Sequence, residues 1–171
     1  MKIQLDINGK SQFSQDILPA YQPSACGPVT AFLLLQYHFP NSCPFDTNEL
    51  YKLLGSTKIG LLKWRFVRNM RKLLGVEWDI STCGIEEVKK QLLEGRPVAA
   101  KFDKWFTLKW RGSFEFDYHW VPVIGFEVID GELFLIIHDN GGRNRQSQIR
   151  HVSYDKNRSI LSFVKIEPSS T

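Results

Sequence analysis

Cysteine is scarce in this sequence. Cys26, Cys43 and Cys83 are its three among 171 residues, an odd number at wide spacing that fits neither a disulfide framework nor the paired ligands of a zinc site. A reducing compartment or one reactive thiol is the expectation, with no metal. Long apolar runs are also missing. Segments such as Ala31 to Leu35 fall far short of the roughly 18 residues a membrane span needs. The first ten residues alternate polar and apolar instead of leading from a basic start into an apolar stretch, so no signal peptide is read and a cytoplasmic protein is expected. Neither sign of charge dominates: 22 Lys+Arg against 18 Asp+Glu leave a net +4, which permits acidic partners without demanding them. Repeats and low-complexity tracts are absent.

Hydrophobic residues make up 43% and aromatics 13%, enough for one domain over residues 1–171 to build a core unaided. A monomer is the default. Ile3, Leu5 and Ile7 alternate with polar residues before Asn8-Gly9, which predicts a short strand. From Cys26 to about Phe39 the chain is apolar almost all round, which predicts a buried helix with Pro28 in its first turn. Asp46 and Glu49 have capping-box spacing for a short helix ending at Gly55. Leu62, Phe66, Met70, Leu73 and Leu74 recur at three and four, predicting a helix from about Leu61 to Leu74. Its Lys63, Arg65, Arg68, Arg71 and Lys72 read as a solvated face, not a nucleic-acid surface. A fourth helix is predicted near Ile85 to Leu93, led in by Thr82 or Cys83.

The second half changes character. Strands are predicted at Val98 to Phe102, Trp120 to Val128, Leu133 to His138, Gln148 to Val152 and Ile160 to Ile166, with Asp130-Gly131 as a turn and Pro168 to Thr171 as a frayed end. Helices followed by strands predict the α+β class. Asp103 to Tyr118 carries six aromatic residues with little periodicity, and packing is the favoured role for them.

A cysteine in the first turn of a helix is chemically privileged, because free backbone N–H groups and the helix dipole stabilise a thiolate. Cys26 is that residue. A thiolate nucleophile also needs a base, a group to orient the base, and donors for the oxyanion. Gln22, four residues before Cys26, offers an amide, with the Cys26 N–H as second donor. His119 opens one predicted strand, and Asp139, followed by Asn140, closes the next. His38 sits at a helix C-terminus that favours a partly charged imidazole, and His138 should point away from Asp139.

These residues stand in three motifs, Gln22-Pro-Ser-Ala-Cys26-Gly-Pro, His119-Trp-Val-Pro-Val-Ile-Gly125 and Phe134-Leu-Ile-Ile-His-Asp139-Asn140. In this order the chain resembles the papain-like cysteine peptidases, specifically the bacteriocin-leader-processing peptidases of cysteine peptidase family thirty-nine and their relatives. The resemblance implies a helical half packed against a twisted antiparallel sheet, with the active site in the cleft between them. By resemblance Cys26 is the nucleophile, His119 the general base and acid, Asp139 the orienting residue and Gln22 the oxyanion donor. The family's glutamine often stands further from its cysteine, and its aspartate is often followed by proline. Gln22 and the choice between Asp139 and Asn140 therefore stay open.

Strand geometry bears on that choice. A plain hairpin through Asp130-Gly131 puts His119 on the same sheet face as Asn140, whereas a bulge or a three-residue loop puts it with Asp139. The function implied is hydrolysis of a peptide or related amide through an acyl-enzyme, with no cofactor. Acyl transfer to an amine, or a turnover-free domain that binds peptide or nucleic acid, are the alternatives.

Overall fold

In the computed structural model, which describes residues 1–169, the apolar run after Ala25 forms α1 (Cys26–His38). Nine of its 13 residues are buried, so it runs through the interior and needs no polar face. Helix α2 (Thr47–Leu53) opens with the expected capping box: Asp46 accepts from the Glu49 N–H, and the Glu49 carboxylate accepts from the Asp46 N–H. Helix α3 (Lys63–Leu74) buries Phe66 and Met70 and ends at Gly75. Helix α4 (Ile85–Leu93) takes Gly84 as its N-cap, in place of Thr82 or Cys83.

The strands are β1 (Lys2–Gln4), β2 (Trp78–Cys83), β3 (Val98–Asp103), β4 (Tyr118–Ile129), β5 (Glu132–Asp139), β6 (Gln148–Ser153) and β7 (Leu161–Pro168), with a short α5 (Tyr154–Asn157) before the last. All pairings are antiparallel, in the order β2-β7-β3-β4-β5-β6, and β1 pairs with the far part of β4. Strand β2 departs from the sequence expectation. Ile80 is its one buried side chain, so it carries little periodic signal, and its six pairs with β7 define it. The expected frayed end is also shorter: Pro168 pairs with Trp78 and the Ser169 N–H donates to the Glu77 carbonyl at 2.8 Å. The rest of that expected end lies outside the described residues.

The sheet has a core on each face. On one, Leu34 and Leu35 of α1, Leu50 and Leu54 of the α2 region and Phe66 and Met70 of α3 pack on Ile80, Ala99, Trp120 and Val164. On the other, Val88 and Leu92 of α4 pack on Val98, Ala100, Phe102, Val121 and Val123. The class is α+β, with α4 and Tyr154 of α5 on the sheet face away from α1, α2 and α3.

Register sets up the site. Asp130 and Gly131, at φ 51 and 83, make a plain two-residue turn with Ile129 opposite Glu132. The irregularity comes further along: Gly125 faces Ile136 but Val123 faces Ile137, so Ile124 is an extra residue in β4. Continued past this bulge, the offset sets Val121 opposite Asp139, and His119 shares the face of Asp139. The last β4–β5 pair is Val123 with Ile137, and past it the amide of Asn140 fills the gap.

Candidate active site

The thiol comes from the first residue of α1. Cys26 is 4% exposed, and its N–H, at the first helical position, has no acceptor within the helix. The next residue must be glycine, since a Cβ on Gly27 would stand 2.8 Å from Leu61 Cβ. Close approach of α1 to that segment leaves a cleft of about 140 Å³ above the thiol, lined by Gln12, Ser24, Cys26, Gly60, Tyr118 and His119 among others. Tyr118 forms one wall and is pinned at its hydroxyl, which accepts from the Leu61 N–H at 3.0 Å and donates to the Leu61 carbonyl at 3.1 Å. Behind it Trp120 is fully buried, stacked on Phe66 at 4.7 Å, with its indole N–H on the same Leu61 carbonyl.

His119 lines the same cleft as the Cys26 thiol, and its Nε2 lies 3.3 Å from Asp139 Oδ1. Asp139 is fully buried. Its Oδ1 accepts from the Gly141 N–H at 3.2 Å, and its Oδ2 sits 2.8 Å from Arg145 Nη1 and 3.2 Å from Arg150 Nη1. Arg150 also pairs with Glu115 and lies over the Phe116 ring, which in turn packs 4.8 Å from the His119 ring. The Asp139 carboxylate is thus held by two arginines and a backbone N–H in addition to the imidazole.

Asn140 has a different place. Its Nδ2 donates to the carbonyls of Trp120 at 2.7 Å and Cys26 at 3.1 Å, and to Thr30 Oγ1 at 3.2 Å. Buried and turned away from His119, it ties the start of α1 to β4 where β4 and β5 separate. Gln22 requires a correction as oxyanion donor. Its amide donates to the carbonyls of Ser14 at 3.2 Å and Ile17 at 3.1 Å, which occupies both amide hydrogens and holds the N-terminal loop. Gln12 lines the cleft instead. Its Nε2 gives one hydrogen to the Gln22 carbonyl at 2.9 Å, its backbone N–H donates to the Asn140 carbonyl, and the second amide hydrogen has no partner among the described residues. Sequence reasoning missed it because a loop, not a helical turn, carries it to Cys26.

Electrostatics separate this thiol from Cys83. Burial alone pushes a thiol up, and it raises Cys83, with help from Glu87, to about 11. Cys26 is buried more deeply, yet its pKa falls below the ordinary value, because hydrogen bonding and charge from His119 and the backbone N–H groups of Trp120 and Gly27 outweigh the desolvation. His119 answers in kind: burial would lower it, but Asp139 and Cys26 raise it to about 9. Asp139 is held below the usual carboxylate range, against its burial, by His119 and Arg145. The two shifts run in opposite directions, and both favour the thiolate–imidazolium form of the pair.

The remaining histidines lie elsewhere. His38 does not carry the charge its helix end favours, since burial and then Arg96 lower it to about 4. His138 packs against the Gly9 backbone on the other face of β5, and burial lowers it too. Among the described residues no helix is long and apolar enough to cross a membrane.

No family model and no curated protein matches the chain. Solved structures do. A Bacillus anthracis protein assigned as a C39-like peptidase superposes with a TM-score of 0.66 at 14% identity, over 99% of this chain and 100% of that one. The peptidase domain of Streptococcus ComA, a bi-functional ABC transporter involved in a quorum-sensing pathway, gives 0.53 at 14% identity over 98% of both chains. UfSP from C. elegans gives 0.59 at 11% identity, over 99% of this chain and 35% of that longer one. The chain has the papain-like α+β fold of these structures.

Proposed function

We propose that this protein hydrolyses a peptide or related amide bond through a Cys26 acyl-enzyme, with residues 1–171 acting as one domain. Cys26 and His119 on one cleft, with His119 Nε2 3.3 Å from the buried Asp139 carboxylate behind it, carry this reading. The thiolate attacks the scissile carbonyl carbon. The carbonyl oxygen becomes an oxyanion and takes hydrogen bonds from the Cys26 N–H and the second Gln12 amide hydrogen. Collapse breaks the C–N bond while the His119 imidazolium gives its proton to the leaving amine. Neutral His119 then takes a proton from water as the water attacks the thioester, and regains its charge as the thiolate leaves.

Alkylation with a dilute thiol reagent from mildly acidic to alkaline pH, read by peptide mass spectrometry, tests the reading. Cys26 is expected to label fastest at neutral pH, with a midpoint below the ordinary value near 8.5, while Cys83 labels only at much higher pH. In His119→Ala the Cys26 midpoint rises above the ordinary value, because burial remains and the compensating cation is gone. Peptide hydrolysis follows a bell: its acid limb tracks the Cys26 thiolate, and its alkaline limb sets in near 9 as His119 loses the proton destined for the leaving amine. Slow labelling of Cys26 with an unshifted midpoint would refute the proposal.

Gln12→Ala is expected to lower kcat by about 10²–10³-fold, the cost of one oxyanion donor. Cys26 labelling should not change, since alkylation develops no oxyanion. An equal loss in both measurements would mean that Gln12 only supports the fold.

A further inference from the structure

The segment joining β3 to β4 brings four large apolar side chains into solvent within six residues. Trp105, Phe106, Leu108 and Trp110 are 53%, 60%, 73% and 65% exposed, whereas soluble monomers usually scatter such residues singly. The segment has a definite shape. The Phe106 N–H donates to Asp103 Oδ1 at 2.9 Å, the Lys104 N–H to the Asp117 carbonyl at 2.8 Å and the Lys109 N–H to the Lys104 carbonyl at 3.2 Å, with Leu108 at φ 56 turning the tip. Packing, the role favoured from the sequence, holds for Phe116 and Tyr118 at its far end and fails for this tip.

Charge points the same way. Each acidic side chain of the segment has a cationic partner: Asp103 has Lys101 at 2.6 Å, Asp117 has Lys104 at 3.0 Å, and Glu115 has Arg150. Lys109 and Arg111 make no ion pair among the described residues, which leaves positive charge beside the exposed rings. Trp64, 54% exposed, and Lys63 line the same cavity as Phe106 and extend this surface onto α3.

We propose that this projection docks the protein onto the surface of an anionic lipid bilayer. Indole and phenyl rings partition into the headgroup region, and lysine and arginine beside them gain from a negative surface potential. Exposed rings beside cations that make no ion pair among the described residues match both parts of an anionic lipid surface, its apolar boundary and its negative charge. His119 follows directly on the foot of this segment, so a docked molecule holds its cleft close to the headgroups. The inference stands independently of the proposed activity.

Co-sedimentation of the full chain with phosphatidylcholine vesicles, with and without phosphatidylglycerol, tests it, alongside tryptophan emission. Binding to the phosphatidylglycerol vesicles with a blue shift is expected, weakening as salt rises, and pure phosphatidylcholine should bind far more weakly. The double variants Trp105→Ala/Trp110→Ala and Lys109→Glu/Arg111→Glu should each lower vesicle binding about tenfold or more, with melting temperature and hydrolysis of soluble peptides unchanged. No binding to phosphatidylglycerol vesicles at low salt would overturn the proposal. Full binding by both variants would overturn it in favour of the basic side of α3. An acidic peptide that binds this segment when vesicles do not would overturn it in favour of a protein partner.

Discussion

Cys26→Ala is expected to reduce peptide hydrolysis by on the order of 10⁶-fold, the loss seen when the nucleophile of a covalent triad is deleted. The size follows from the division of labour in the cleft. In the proposed mechanism His119 and the oxyanion donors assist an attack, and without the sulfur neither has a reaction to assist. The fold should tolerate the change. Cys26 contributes a small side chain to a large core, and alanine leaves at most a pocket of about one atom, worth on the order of 1 kcal/mol. Turnover measured on one peptide substrate, with thermal melting as the control for folding, checks this. Retained turnover in a well-folded variant would place the chemistry elsewhere.

Asp139→Asn should lower kcat by on the order of 10⁴-fold, the effect of the equivalent change in other triads. The two arginines decide how the asparagine sits. Arg145 and Arg150 both donate toward Oδ2, so they hold the amide oxygen there and turn the NH₂ toward His119. Nε2 of His119 then becomes an acceptor, its proton moves to the nitrogen beside Cys26, and the ring can no longer take the thiol proton. Two further readings separate this from simple unfolding. The Cys26 labelling midpoint should rise, as the imidazolium loses its counter-ion, and the acid limb of the hydrolysis profile should move up with it. A variant with normal labelling and normal turnover would show that Asp139 serves only to bind the two arginines.

Much of the scaffold is written in local pattern. The apolar run after Ala25 and the spacing of Phe66 and Met70 are properties of a few adjacent turns, and each predicted helix appears within about two residues. The bounds of β4 and β5 follow in the same way from β-branched and aromatic runs between turn residues. Strand β2 escaped because one buried side chain gives no period, and its existence depends on β7, which lies far along the chain.

The site shows the same division. Cys26 is legible because a helix start has its own physics, and His119 because it opens a strand. Gln12 has no local mark, since its position depends on a loop held by Gln22, whose amide faces away from the cleft. The exposed aromatics misled for a related reason: ring type predicts how much area a side chain can bury, not whether a partner surface is at hand.

The extra residue at Ile124 has an evolutionary reading. Asp139 and Asn140 are adjacent and point to opposite faces, so the one that meets His119 is set by how many residues β4 holds between the turn and the histidine. Cys-His-Asp and Cys-His-Asn arrangements both occur among thiol hydrolases. In this strand they stand one deletion apart, with no change of side chain at any of the three positions. A lineage could exchange one orienting residue for the other by a change in length alone, and comparison by residue identity would see nothing but a gap.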